Sequence, residues 1–443
     1  MTRQILSLLL LFTPIVFTGQ TKIWNLDDCI RYAVENNPQV KKQQAQNKIY
    51  SADKAESLAG FLPSVSAGTS IFSNFGRSID PDTNIYVTRN TLSNSYDLRA
   101  SMMLFDGLAN IYRVKFAKIN RLMGKEQLQG VKDQIALETM EIFFNALYYK
   151  GTTGLAKNQL QESIANLHKT ERMEELGLKS APDVAEIRAK EAEDRFLLTQ
   201  QQNLLNQEII KLKAKMNFPI EEAFDIADYE NVILPESANE DAVKIFYNAQ
   251  QTMPRLRSSE QSLKASATAH KISRGGLFPT ISADAGINSN FSRFMDGGAY
   301  MPFWEQLKNK QGSYVGVTLS IPLFNRLSRI SETRRAKQRF LIAQSDDEDL
   351  KRQVFSEIEQ AVADVNGLSD EFVSAEKKAE SMEAAHNVNV RKYEEGLIDA
   401  LELSTSSNRL LNARIEALYT NLKLQLKSKL LNYYKGETSW TEF

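Results

Sequence analysis

Apolar residues recur along the C-terminal half of the chain at alternating spacings of four and three. The members of this stripe are Val354, Ile358, Ala361, Val365, Leu368, Phe372, Ala375, Ala379 and Met382. Such spacing puts apolar side chains on one side of an α-helix and is typical of coiled coils. A register shift of 219 residues gives a more polar copy: Ile135, Thr139, Ile142, Ala146, Tyr149, Thr153, Ala156, Leu160 and Ser163. The pattern predicts two long helices, near 107–176 and 326–395.

Proline placement supports these helices. All eleven prolines precede residue 323, and none falls between Pro81 and Pro182. Because proline breaks helices, each long helix can run without interruption, for about 105 Å at 1.5 Å per residue. The pattern also predicts four other helices: one before each pair of strands, near 27–59 and 239–274, and one after each long helix, near 182–216 and 401–434.

Four shorter segments alternate apolar and polar residues. Their apolar sets are Val65, Ala67, Thr69 and Ile71; Leu98, Ala100, Met102 and Leu104; Ile281, Ala283, Ala285 and Ile287; and Val315, Val317, Leu319 and Ile321. A period of two predicts strands with one apolar face. Such strands fit a transmembrane β-barrel, and they also fit a soluble sandwich with one wet face. Four strands cannot close a membrane barrel, which needs about eight, so we favour a barrel shared by several chains.

The chain repeats itself at a spacing of 216 residues that later becomes 219. LPSVSA from Leu62 aligns with FPTISA from Phe278, and RMEELGLKSAPDV from Arg172 aligns with RKYEEGLIDALEL from Arg391. A duplicated unit of this length predicts one pseudo-symmetric body. The predicted divisions are a signal peptide at 1–20, a first repeat at 21–218, a connector at 219–238, a second repeat at 239–434 and a tail at 435–443.

The N-terminus has the features of a targeting segment. Arg3 precedes a short apolar run, and small residues end near Gly19 and Gln20. We interpret residues 1–20 as a secretory signal peptide, with an N-terminal core helix as the alternative. No other stretch approaches the about 18 apolar residues of a membrane-spanning helix.

Composition gives no sign of an enzyme. The 54 basic and 55 acidic residues are balanced, whereas nucleic-acid binders usually carry a basic excess. The single Cys29 cannot form an intrachain disulfide, and we expect it to be buried on a helix. The three histidines lie on different predicted helices without neighbouring ligands, and there is no HExxH, nucleophile elbow or phosphate loop. We therefore predict neither catalysis nor a cofactor nor a metal site.

The strand exits LFDG and IPLFN and the turns LGLKSAPDV and EGLIDALEL make the chain resemble the TolC family of outer-membrane efflux proteins, over residues 24–434. The resemblance implies a mainly α fold with a transmembrane β-barrel: a homotrimer whose twelve strands, four per chain, form one barrel in outer-membrane lipid. A coiled-coil α-helical barrel would continue it across the periplasm.

The implied function is a passive channel of a tripartite efflux or type I secretion system. It would conduct substrates from a periplasmic adaptor, or membrane fusion protein, and an inner-membrane pump to the exterior. A soluble periplasmic coiled-coil scaffold or adaptor is the alternative from another class.

Two turns carry the docking residues that the resemblance implies. Gly177 and Leu178 form the first, and Gly396 and Leu397 form the second. Glycine lets the chain reverse at a helix end, and an exposed leucine offers an apolar contact to an adaptor. Tight helix caps alone would also explain both turns.

A periplasmic gate is implied at Tyr393 and Asp183. The arginine that the family places two residues after the second glycine is replaced by Ile398, and Lys179 is a candidate to take its role. The family's paired constriction carboxylates correspond to Glu402 and to a threonine. Threefold symmetry would make Glu402 a cation-selective ring, whereas a single glutamate in a first helical turn is also an ordinary dipole partner.

Overall fold

The computed structural model describes residues 22–80, 83–228 and 240–437. Its elements are β1 Ile23–Trp24, α1 Leu26–Asn36, α2 Pro38–Ala59, β2 Ser64–Asn74, β3 Arg77–Ile79, β4 Tyr86–Thr88, β5 Thr91–Phe105, α3 Ala109–Glu175, α4 Ala181–Met216, β6 Asp225–Ile226, α5 Ala242–Thr252, α6 Pro254–Gly275, β7 Thr280–Phe294, α7 Phe303–Asn309, β8 Gly312–Ser320, α8 Ser328–Glu394 and α9 Ala400–Lys435. The predicted signal peptide, the second half of the connector and the end of the tail lie outside the described residues.

Eight of these helices form four pairs of equal length. The pairs are α1 and α5 with 11 residues, α2 and α6 with 22, α3 and α8 with 67, and α4 and α9 with 36. Equal lengths are what a duplicated unit would have. The prediction of two long helices is confirmed, and each spans about 100 Å at 1.5 Å per residue.

The apolar stripe is the core of the helical region. Its first seven members, from Val354 to Ala375, are buried, and Val354 and Ile358 are fully so. They belong to one elongated cluster with Ile135, Phe143 and other residues of all the long helices. Burying a side chain of this kind stabilises the fold by about 1.5–3 kcal/mol. This cluster therefore packs α8 against α9 and brings α3 and α4 into the same core.

The prediction of single helices at 27–59 and 239–274 is wrong, because each is two helices. The breaks come at Asn37, before Pro38, and at Met253, before Pro254. Proline lacks an N–H and disfavours helical backbone in the residue before it. Asn37 has ψ 130° and Met253 has ψ 120°, both extended. Each proline then begins the longer helix.

The four predicted strands form one antiparallel sheet in the order β2–β5–β7–β8. The register places Val65, Ala100, Ala285 and Val315 in one row, so the predicted apolar sets share a face. This face is exposed: Val315 is 87% accessible and Val65 is 66%. β5 and β7 have 15 residues each, longer than the predicted ten or so.

Several small elements were not predicted. β1 pairs with β6 in parallel, which ties the start of the described chain to the connector. Trp24 on β1 packs against Phe218 and Phe224, at ring-centroid distances of 5.4 and 5.7 Å. β3 and β4 form a hairpin, and α7 lies between β7 and β8. Among the described helices, none is both long enough and apolar enough to cross a membrane.

Candidate functional site

The candidate site is the end of the molecule where the chain reverses direction after each long helix. After α3 ends, Gly177 has φ +71°, a conformation that glycine adopts without strain. The N–H of Leu178 donates to the carbonyl of Met173 at 2.8 Å, and the N–H of Gly177 donates to that of Glu174 at 2.8 Å. This pair of hydrogen bonds is a Schellman motif. Gly396, with φ +75°, repeats it at the end of α8.

Acidic side chains cap the return helices. The carboxylate of Asp183 accepts from the backbone N–H and the hydroxyl of Ser180, at 3.1 and 2.7 Å. These bonds, with a smaller contribution from the backbone of Ala400 on α9, lower the pKa of Asp183. At pH values above the ordinary pKa of aspartate, the ionised carboxylate stabilises this cap. The stabilisation is lost as the pH falls through the lowered pKa of Asp183. Asp399 caps α9 by accepting from the N–H of Glu402 at 2.8 Å.

Leucines project from both turns. Leu178 is 66% exposed and Leu397 is 67% exposed, and Leu176 and Leu401 beside them are equally open. We call these four residues the leucine tip. Only Leu178 and Leu397 were predicted, although the positions of the other two next to the turns were visible in the sequence. A cluster of exposed apolar side chains at one end of a molecule is typical of a contact surface.

Tyr393 links the two hairpins just behind the tip. Its side chain is buried, and its hydroxyl lies 2.9 Å from the hydroxyl of Thr170 on α3. Burial raises the pKa of Tyr393, so the phenol stays neutral. Lys179 of the first turn places its Nζ 3.9 Å from the centre of the Tyr393 ring and 3.5 Å from the carbonyl of Ile398. Lys179 thus reaches the position where the resemblance implied an arginine.

The predicted gate residues lie close together at this end of the molecule. Tyr393 belongs to a contact between the first hairpin, α3–α4, and the second, α8–α9, whereas the hydrogen bonds of Asp183 are to Ser180 in its own hairpin. Glu402 stands apart from these ties. It is exposed in the first turn of α9, where it lines a groove of about 440 Å³ together with Asn389 and Arg409.

A buried ion pair lies further from the tip. Lys190 and Asp194 on α4 are 7% and 1% exposed, and their Nζ and Oδ1 atoms are 2.6 Å apart. Lys190 also donates to Asn408 on α9 at 2.6 Å, and Ser163 and Gln159 on α3 donate to Asp194. These bonds join three helices.

His386 on α8 extends this arrangement. Its Nε2 lies 2.6 Å from Glu162 on α3, and its Nδ1 lies 3.2 Å from the hydroxyl of Ser406 on α9. Glu162 and Ser406 are next in sequence to Ser163 and Ser407, which bond the ion-pair group. Together these residues form a polar layer between the main apolar cluster and the small cluster around Tyr393. The sequence did not predict it, since a lysine and an aspartate four residues apart are usually exposed.

Other candidate chemistry is sparse. Cys29 is buried as expected, and burial raises the pKa of its thiol to about 12. Within residues 22–80, 83–228 and 240–437, no group of three or more histidine, cysteine, aspartate or glutamate side chains is arranged to hold a metal ion.

Comparisons with known proteins show what the chain is similar to. Residues 245–434 match the family described as "Outer membrane efflux protein". The chain is 22% identical to "Outer membrane protein TolC" of Escherichia coli strain K12, in an alignment that covers 97% of this chain and 87% of the relative. Over nearly its whole length the chain is therefore similar to TolC-type outer membrane efflux proteins. It is also 21% identical to "Outer membrane protein TolC" of Salmonella enteritidis, with the same coverage.

Solved structures share the fold of this efflux protein. The outer-membrane channel OprN matches with a TM-score of 0.79 and 17% identity, covering 94% of this chain and 90% of that one. The Campylobacter jejuni CmeC outer membrane channel matches with a TM-score of 0.79 and 13% identity, covering 94% and 87%. The predicted location in the cell outer membrane is confirmed. The family is one of efflux proteins rather than enzymes, and the comparisons do not favour a soluble scaffold.

The buried ion pair should be critical for stability. Asp194→Asn removes the buried partner of the Lys190 ammonium and leaves the exposed Glu193, 3.5 Å from Nζ, as its remaining carboxylate, so the free energy of unfolding should fall by about 3 kcal/mol. Chemical denaturation followed by circular dichroism measures this. The matched control is Asp349→Asn, whose ion pair with Arg352 on α8 is more than three-quarters exposed on both sides. It should cost about 1 kcal/mol or less. Equal losses in the two variants would contradict the assignment.

Proposed function

We propose that the chain forms a passive exit duct of a tripartite export system. Substrates enter at the leucine tip from a periplasmic adaptor and an inner-membrane pump, and they leave through a β-barrel in the outer membrane. The observation that supports this most is the layout of one chain. An exposed apolar sheet and an apolar helical tip stand at opposite ends of helices about 100 Å long. The duct does no covalent chemistry, so the energy for transport comes from the pump.

The barrel is assembled from three chains. The outer strands β2 and β8 pair with no further strand among the described residues, so each leaves an open edge. Backbone groups at such an edge need partners inside a lipid bilayer, and barrel closure is the way to supply them. Three copies of the four-stranded sheet give twelve strands, above the minimum of about eight. A homotrimer therefore pairs every edge.

The two faces of the sheet suit lipid outside and water inside. The apolar face carries Val65, Val315 and Leu319, which are exposed in the single chain. The opposite face of the sheet carries polar residues such as Arg99 on β5 and Asp284 on β7. Outer-membrane barrels alternate apolar and polar side chains in this way. We assign the apolar face to outer-membrane lipid and the polar face to the channel.

The ties behind the tip close the entrance. Tyr393 with Thr170, and Lys179 with the Tyr393 ring and the Ile398 carbonyl, hold the two hairpins together, while Asp183 caps the start of α4 close to them. Opening the entrance requires the hairpins to separate, and each of these contacts resists that motion. Glu402 lies near this end on an exposed helix surface, where three copies would form a ring of carboxylates.

Docking of the adaptor is tested at the leucine tip. Leu178→Asp combined with Leu397→Asp puts charges on the apolar contact, so export should fall to the level of cells without the protein while the trimer persists. Substrate accumulation in cells measures export, and gel filtration measures the trimer. Leu178→Met with Leu397→Met is the control, since it keeps the surface apolar and should retain export. Normal export by the aspartate variant would refute the docking role.

The gate is tested by single-channel recording in planar bilayers. Replacing Tyr393 by Phe together with Asp183 by Ala removes the hydrogen bond to Thr170 and the cap at the start of α4, so conductance should rise. Lys179→Met should also raise it, because the cation over the ring is lost. Lys179→Arg keeps a cation at that place and should behave as the unmodified channel. Unchanged conductance in the Tyr393 and Asp183 variant would rule out this gate.

The carboxylate ring is tested by ion selectivity. Glu402→Gln removes the charge with little change in shape, so the ratio of cation to anion permeability should fall toward one. Reversal potentials across a salt gradient measure it. Glu186→Gln, on the exposed side of α4, is the control and should leave the ratio unchanged. An unaltered ratio in Glu402→Gln would leave Glu402 as a helix-dipole partner only.

A further inference from the structure

The short helix α7 covers the end of β7 on the side where β8 no longer pairs with it; on the other side β5 pairs with β7 as far as Phe294. β8 pairs with β7 only as far as Asn288, whereas β7 continues to Phe294. Gln306 on α7 is fully buried. Its side-chain amide accepts from the N–H of Ser292 at 3.0 Å and donates to the carbonyl of Ser292 at 2.9 Å. This amide supplies the hydrogen bonds that a strand would give, and it fixes α7 to the sheet.

Aromatic rings place α7 on the apolar face. The ring of Phe303 packs 6.0 Å from that of Tyr96 and 5.2 Å from that of Phe291. Side chains alternate along a strand, so Tyr96 shares the face of Leu98, and the pairing of β5 with β7 puts Phe291 on the same side. Trp304 follows Phe303 and is 79% exposed. A large amphipathic ring therefore projects from the end of the apolar face.

The height of this cluster matches a membrane boundary. From Ile281 to Phe291 the strand rises about 34 Å along its own axis. A strand tilt of about 40° reduces this to about 25 Å across the membrane, the height of the apolar band in outer-membrane barrels. Beyond this level Arg89 forms an ion pair with Asp296 through its Nε, at 3.1 and 3.0 Å from the two carboxylate oxygens. Along the sheet, the aromatic side chains are therefore followed by charged side chains at its outer end.

We propose that α7 anchors the sheet at the membrane surface, with Trp304 at the boundary between headgroups and acyl chains of the outer leaflet. Tryptophan suits this boundary because it has an apolar body and one N–H donor. The anchor continues the apolar face of the sheet at its outer edge. The inference rests on the proposed function, since it requires the sheet to span the membrane.

Tryptophan fluorescence tests the anchor directly. The chain has three tryptophans, Trp24, Trp304 and Trp440. Trp24→Phe with Trp440→Phe leaves Trp304 as the reporter in the full-length trimer. The protein is reconstituted into phosphatidylcholine vesicles whose acyl chains carry bromine near the headgroup or near the terminal methyl. We expect Trp304 to lose more fluorescence to the shallow bromine than to the deep one, and little to aqueous acrylamide.

A second reporter separates failure of the anchor from failure of the membrane assignment. Val315→Trp, with the three native tryptophans changed to Phe, puts the ring at mid-height on the apolar face, and it should be quenched most by the deep bromine. If this reporter is quenched by neither bromine, the sheet does not span the membrane and the proposed function fails.

If the Val315→Trp reporter is quenched, two results for Trp304 would refute the anchor and leave the proposed function standing. Quenching of Trp304 mainly by acrylamide would mean that α7 faces water. Protection of Trp304 from both bromines and acrylamide would mean that a second copy of the chain covers it. If Trp24→Phe reduces the yield of trimer, Trp304→Phe is made in the otherwise unmodified protein. The fluorescence of the unmodified protein minus that of Trp304→Phe then gives the signal of Trp304, because Trp24, which is buried, is present in both proteins.

Discussion

Burial of one apolar stripe along each long helix is the interaction on which the rest of the structure depends. A helix of 67 residues cannot hold its position by local hydrogen bonds alone, and Val354, Ile358 and their neighbours give it a continuous contact along its length. The same packing keeps the sheet and the tip at opposite ends. The proposed duct needs this separation, since one end would meet lipid and the other a partner.

The two copies of the repeat share a framework and differ where contacts between them are made. Both hairpins reverse through the same Schellman motif, at Gly177 and Gly396. Behind the turns, Lys179 of the first copy reaches Tyr393 of the second, so the contact depends on unlike residues at unlike positions. The buried pair of Lys190 and Asp194 likewise joins α4 to α9 through Asn408. Duplication therefore accounts for the two similar helical hairpins, and divergence of side chains accounts for the contacts between them.

The ends of the sheet show how local features limit assembly. β7 extends beyond the end of β8, and the side-chain amide of Gln306 on α7 bonds the N–H and the carbonyl of Ser292, which face no strand on that side. The remaining open edges are β2 and β8. An edge that stays open favours pairing with another chain, and an edge that is covered does not. In the proposed trimer, the position of α7 would therefore restrict pairing between copies to the part of the sheet below it.

The sequence by itself determined the long helices, the four strands and the two glycine turns, because their periods and the strain-free left-handed glycine are local properties. It also predicted that Tyr393 and Asp183 would lie together, through family resemblance. The breaks at Asn37 and Met253 were readable from the following prolines and were overlooked. Only the tertiary structure decided that Lys190 and Asp194 are buried and that Lys179 stacks on Tyr393. Those contacts join residues far apart in the chain, and no local pattern specifies which distant helix a side chain will face.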